Sequence, residues 1–375
     1  MTGADPGYRA VFCDLRTDQV IDVLPLRDVE FDDYIGKPGS LSGTIPVPNP
    51  DLGRRVRRVI EGRTSLYLER AGEVWWGGIV WTVTPQSDEN GVLTVPVQAA
   101  TFDSYPARRR IRDDLRLNTR DSADLVTDLW RYVQSAAGGD IGVTYGDGLA
   151  GVEQEFFWKG SDDTVVEEAI DQVLAGAAAW STGSRSTATR PPGSGCATQL
   201  GTPQIVSTAA ELVLDRPGAV LSYSFPRDAT RGGTTLRVKG ADVAGGDLSN
   251  DAKPMLSAEA VAQNLIDGGH PRIDLSAEFS TVSKQAQLDK IAKDQLKAAT
   301  GAVVIPTVRI ALGQGAPSAL LGRTARLRIV DEWFAEGLDA RYRVVGLRVT
   351  PPERGPRGGR PLPGGTVTST FEEGP

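Results

Sequence analysis

The side chains richest in binding chemistry stand in one short ribbon, EVWWGGIVWTVTPQ, which holds Trp75, Trp76 and Trp81. Indole rings that project outward stack on sugars or anchor a partner, whereas alternating positions in a strand usually put them in a core or a subunit interface. In a regular strand the neighbours Trp75 and Trp76 face opposite sides. The three tryptophans are therefore candidates for a subunit interface, or for glycan contact if the ribbon is a surface. Titratable residues offer less. Asp162, Asp163, Glu167 and Glu168 set four carboxylates at the start of a helix. That pattern suits acid/base work or a cation, but it is met more simply by acidic groups placed on the helix dipole.

The single histidine, His270, lies in the turn-like GGHPR, which removes His-based triads and multi-His zinc sites. Cys13 sits in an apolar run and Cys196 in a Gly/Ser-rich stretch, and two cysteines make neither a disulfide framework nor a metal cluster. The run YGDGLAG from Tyr145 lacks the spacing of a phosphate loop. GADVAGGDLSND from Gly240 has oxygen ligands without calcium-loop spacing. No catalytic, cofactor-binding or metal residue is assigned, and the expectation is a protein that is not an enzyme. A carboxylate-only glycosidase is the enzyme class these residues still permit.

The elements that must position these groups are mostly strands. YRAVFCD and DQVIDVLPL read as a hairpin, and VEFDDYIGKPGSLSGTIPVP as two strands around a Gly/Pro corner. The prolines of PVPNPD end the sheet pattern, and RRVRRVIE (54–61) reads as a short helix. TSLYLER, the tryptophan ribbon and GVLTVPVQAATFD add three strands, enough for a small closed or nearly closed antiparallel barrel. RRRIRDDLR is a charge run with the character of a solvated face. Helical spacing follows in DSADLVTDLWRYVQSA, capped by Asp121 or Ser122, and in SDDTVVEEAIDQVLAGAAAW. Residues 181–202, rich in Ser, Thr, Gly and Pro, read as an exposed loop. Strands resume in AELVLDR, AVLSYSFPR and TTLRVKGAD. A long amphipathic helix carries Val282, Leu288, Ile291 and Leu296 up to Gly301, before VVIPTVRIAL, RTARLRIV and YRVVGLRVTP.

Composition bounds the rest. A chain of 375 residues, 40% hydrophobic and 24% charged, is long enough for several domains with substantial cores. A formal net charge of −7 argues against dedicated nucleic-acid binding. There is no basic segment followed by an apolar core near the start, and no apolar run of about 18 residues, so the expectation is synthesis as a soluble cytoplasmic product without a membrane-spanning segment.

The order of these pieces carries more than any one of them. The barrel ending in ATFDSYPARR is followed by DSADLVTDLWRYVQS with its tail GGDIGV, then by DDTVVEEAIDQVLAG. Next come AVLSYSFPRDATRGGTTLRVKGAD and the close GRTARLRIVDEWFAEGLDARYRVVGLRVTPPE. This arrangement, from about Tyr8 to Glu353, resembles the minor tail proteins of long-tailed actinobacterial phages and, more broadly, the gp27-like hub proteins of tail tips and baseplates. RDATRGGTTLRVKGAD is similar to the segment entering that family's second barrel, and RYRVVGLRVTPPE to its closing strand. The loop 181–202 and the tail after Pro352 fall outside the resemblance.

The resemblance implies a β-rich α+β multidomain fold: two small antiparallel β-barrels with intervening helical and α+β domains. The N-terminal barrel would be residues 1–105, followed by a helical/α+β domain at 106–210. The second barrel would begin at 211–251 and close at 302–352 around a helical insertion at 252–301, with a Pro/Gly-rich tail at 353–375. Three chains would place six barrels about an axis, a homotrimer matched to a six-fold tube through heterologous contacts that close. Implied partners are the tail tube or distal tail protein, the tape measure protein, and spike or receptor-binding proteins, with genomic DNA passing transiently through an acidic lumen that would not hold it. The competing expectations are a tail-associated cell-wall hydrolase and a carbohydrate-binding adhesin built on Trp75, Trp76 and Trp81.

Overall fold

The computed structural model describes residues 7–145, 151–176, 182–185, 197–200, 209–230, 232–243, 253–279, 282, 284–300, 303–313, 315–351 and 365–373. The first hundred residues form Arg9–Asp14 (β1), Val20–Leu24 (β2), Arg27–Tyr34 (β3), Ser40–Pro46 (β4) and the helix Pro50–Val56 (α1). Thr64–Arg70 (β5), Glu73–Val83 (β6), Gln86–Ser87 (β7) and Leu93–Thr101 (β8) complete them. The helix expected at 54–61 thus lies a turn earlier. Asn49 accepts the Leu52 N–H at 2.9 Å and Pro50 occupies the first helical position, where a missing N–H costs nothing.

Both faces of this sheet are covered, which its apolar strands require. In β1, Ala10 and Phe12 enter one core while Val11 and Cys13 enter another, the two-residue alternation of a strand buried on both sides. The second core is closed by Ser122–Ser135 (α2) and Val166–Gly176 (α3). Asp121 caps α2 by accepting from the Ala123 N–H at 2.9 Å. Ahead of α2 runs Leu115–Asp121 (β9), and Thr144–Tyr145 (β10) and Glu153–Trp158 (β11) follow it. β9 and β11 pair antiparallel. The charge run is therefore only partly a solvated face: Ile111 is fully buried and Arg112 pairs with Asp163 at 3.0 Å. Residues 181–202 are not loop throughout, because Thr182–Arg185 (β12) pairs with Ala197–Leu200 (β13).

Leu212–Arg216 (β14), Val220–Ser224 (β15) and Arg227–Asp228 (β16) follow. Thr235–Val243 (β17) then leaves the main sheet. It pairs with Lys253–Leu256 (β18), Ala260–Val261 (β19) and Asp274–Glu278 (β20). Gln263–Asp267 (α4) connects β19 to β20. Gln285–Ala298 (α5) sets Leu288, Ile291, Ala292 and Leu296 on Leu236 and Val238. This corrects two expectations: TTLRVKG does not join the closing strands, and residues 252–301 are a mixed αβ unit rather than a helical insertion. The physical reason is that α5 needs a sheet of its own to cover its apolar stripe.

Val303–Val304 (β21), Thr307–Ala311 (β22), Thr324–Ile329 (β23), Leu338–Thr350 (β24) and Thr366–Glu373 (β25) end the chain. Residues 353–375, expected as a tail, thus hold a central strand: β25 pairs with both β22 and β24 and buries Val367 and Phe371.

The main sheet has fourteen strands, eleven in the order β15-β22-β25-β24-β3-β4-β8-β6-β5-β1-β2, with β23 also on β24, β14 on β23, and β7 on β8. β24 joins the halves. Its first part pairs with β23 and its last part with β3. At the junction Gly346 lies where a Cβ would fall 2.4 Å from the Tyr34 ring. One core, holding Leu41 and Leu66 as well as Leu327 and Phe371, runs under both halves. The protein is β-rich with few helices, and among the described residues no ladder closes either half into a ring.

Candidate functional site

The tryptophan ribbon is not a surface. Trp75 and Trp76 are 2% and 3% exposed, and both rings lie in the core under the main sheet. They share a side because β6 bulges: Leu68 opposes Trp76 and Glu69 opposes Val74, leaving Trp75 as the extra residue. A bulge breaks the alternation that would have sent one ring out. Trp76 Nε1 donates to the Asp32 carbonyl at 3.0 Å. Gly78 is required beneath it, since a Cβ there would lie 2.2 Å from the Ala100 carbonyl oxygen. Trp81 is half-buried on the other face, donates to Ser104 Oγ at 3.0 Å and lies under the Arg108 guanidinium.

The titratable candidates are dispersed. Asp163, in a left-handed conformation before α3, pairs with Arg110 and Arg112. Only Glu167 and Glu168 fall in the first turn of α3. Partial burial, then Asp171 and Glu168, raise the Glu167 carboxyl above its ordinary range, with Arg108 opposing. Burial and Glu168 do the same to Asp171. His270 is exposed beyond α4. Cys13 is buried, whereas Cys196 and most of YGDGLAG and GADVAGGDLSND lie outside the described residues. Among the described residues no three or more His, Cys, Asp or Glu side chains are grouped to hold a metal, and no helix is long and apolar enough to cross a membrane.

Two surface features carry more. The first is a cleft of about 490 Å³ beside β1, with Leu15, Tyr105 and Ile141 as its apolar part and Arg16, Thr17 and Arg63 around it. Asp14 fixes this rim: its carboxylate accepts from Arg63 at 3.1 Å and from Thr17 Oγ1 at 3.0 Å. Burial alone would raise the Asp14 carboxyl, yet these bonds hold it below its ordinary range.

The second is the tip of the β23–β24 hairpin. Asp331 accepts the N–H groups of Trp333 at 3.1 Å and Phe334 at 3.0 Å, and the Tyr223 hydroxyl at 2.5 Å. These bonds, the Tyr223 hydroxyl first, keep its carboxyl below the ordinary range. Phe334 packs on Phe225 and Tyr223 with centroids 5.4 and 5.8 Å apart. Trp333 is left 73% exposed, beside Val330 at 59%. Beyond it the outer face of β14, β23 and β24 is an ion-pair lattice: Arg326 with Asp339, Arg328 with Asp215, Arg341 with Glu211. The sequence signal for the tip is DEWFAEG, an aromatic pair inside an acidic turn between two strands.

The architecture just described, a large, mostly antiparallel sheet with a helical layer on one face and an inserted αβ unit, is a fold that phage tail proteins of known structure also have. It is shared over the whole chain by the 43 kDa tail protein of prophage MuSo2 from Shewanella oneidensis, with TM-score 0.63, 10% identity, and 97% of this chain and 98% of that one covered. A tail protein from Neisseria meningitidis matches with TM-score 0.61, 13% identity, and 98% and 97% covered. A Francisella PdpA–VgrG complex matches with TM-score 0.54 and 8% identity over 98% of this chain and 52% of the other. No family model matches the sequence, and no curated protein does.

Proposed function

We propose that this chain is a structural protein of a phage tail, a ring-forming hub at the tail tip that connects the tail tube to distal spike or receptor-binding proteins and lines the DNA exit channel. The observation that carries the reading is end-to-end agreement in fold with a tail protein, 97% of this chain on 98% of the other. In this reading the two halves of the sheet act as two barrel-like units per chain, and a homotrimer presents six of them to a six-fold tube. The partners are the distal tail or tube protein, the tape measure protein and the spike proteins, in a virion of the long-tailed type found in actinobacterial phages. The chain is not an enzyme and takes no cofactor.

Burial of Trp75 and Trp76 weighs against an adhesin built on the ribbon. Negative-stain images and a cell-wall clearing assay on the purified chain test the reading. Ring particles without clearing are expected. Dispersed single chains that clear cell wall would overturn it in favour of a hydrolase.

A further inference from the structure

We propose that the hairpin tip of one copy inserts Trp333 into the cleft beside β1 of the next copy. This rests on the ring reading above and names the contact that holds the ring. An exposed indole is ordinarily mobile, but here the loop beneath it is fixed by three hydrogen bonds to Asp331 and by Phe334 in its aromatic cluster. Docking such a side chain loses little conformational freedom. Tryptophan in that position is the side chain most often found as an interface anchor. Val330 and Leu221, 59% and 52% exposed, supply apolar surface on the same part of the fold; the Val330 N–H bonds the Arg216 carbonyl and Arg216 bonds the Leu221 carbonyl.

The cleft suits this occupant in size and charge. At about 490 Å³ it falls within the roughly 300–1,000 Å³ of pockets that enclose drug-sized groups, so an indole fits. Its apolar part is Leu15, Tyr105 and Ile141, and Arg16 and Arg63 stand at its rim. The tip presents Glu332 and Glu336 on either side of Trp333, all exposed. Among the described residues neither glutamate, nor Arg16, has an ion-pair partner within its own chain. Of the charges that line the cleft, Asp14 and Arg63 pair with each other and Arg16 is left over, opposite in sign to the two glutamates of the tip, an attraction that would orient the contact. Tip and cleft are different patches on opposite halves of the sheet, so the contact is head-to-tail, the kind from which a ring is built when its rotation closes.

The test uses the full chain, sized by native mass over a range of concentrations. Trp333→Ala is expected to weaken association by roughly 30-fold, with a melting temperature equal to the parent's at concentrations dilute enough that both are single chains. Glu332→Lys with Glu336→Lys should weaken it as well, and adding Arg16→Glu should restore it. In a Cys196→Ala background, Trp333→Cys with Arg16→Cys should yield a disulfide between copies. If Trp333→Ala assembles as the parent does and no such disulfide forms, the contact is overturned while the ring stands, and Trp333 is left to a different tail protein. If the parent chain never assembles, the hub reading falls, and this contact with it.

Discussion

The β6 ribbon and the β23–β24 tip each carry tryptophan on antiparallel strands, yet they place it oppositely. In the ribbon a one-residue bulge turns Trp75 and Trp76 into the same core. At the tip, Asp331 and Phe334 hold the loop so that Trp333 stays 73% exposed. Residue type alone does not separate a core indole from an anchor. What separates them is the backbone register beneath the first and the polar clamp beneath the second.

The most severe way to break this comparison is to remove the strand that underlies the tip. β25 buries Phe371 against Tyr342 and bonds both neighbours. A chain ended at residue 364 should lose its cooperative unfolding transition, as followed by near-ultraviolet circular dichroism. Next come the indoles themselves. In urea unfolding of dilute, dissociated chains, Trp75→Ala should cost about 3–5 kcal/mol, whereas Trp333→Ala should stay within about 0.5 kcal/mol. Equal losses would erase the distinction.

A smaller effect concerns the clamp. Because the folded Asp331 carboxyl lies below its ordinary value, its contribution is complete above the unfolded value near 4 and is lost as pH falls through the folded one. The melting temperature should therefore drop below about pH 4, and drop less in Asp331→Asn. The smallest effect lies beside the ribbon, where Arg108 covers Trp81 and opposes the raised Glu167 carboxyl. A raised acid favours folding at low pH and opposes it once ionised. Glu167→Gln should therefore stabilise the protein at pH 7 by about 0.2–0.5 kcal/mol, the scale of one like-charge pair on a helix, as read from its melting temperature.

Local patterns in the sequence were enough to place α2, α5 and the β1–β2 hairpin, because their apolar spacing is strong and, for α2, the Asp121 cap stands directly before the helix. They were not enough for β25, whose TVTSTFEE buries Ser369 completely and follows a Pro/Gly-rich stretch that reads as tail. β9 carries its signal only in Leu115 and Leu117 between arginines and polar residues. The assignment of β17 to its own sheet depends on pairing with β20, whose partners lie thirty-nine residues on, as Thr235 and Asp274 do, and no local pattern specifies that. The bulge at Trp75 is likewise set by the partner strand. The tip was visible only as an aromatic pair in an acidic turn, and the cleft, built from four separated segments, not at all.

The mass of the purified full chain in solution tests the central claim most directly. A particle of three 39.9 kDa chains, dissociating on dilution and doing so at higher concentration in Trp333→Ala, is the result this account predicts. A single 39.9 kDa species at every concentration would contradict it.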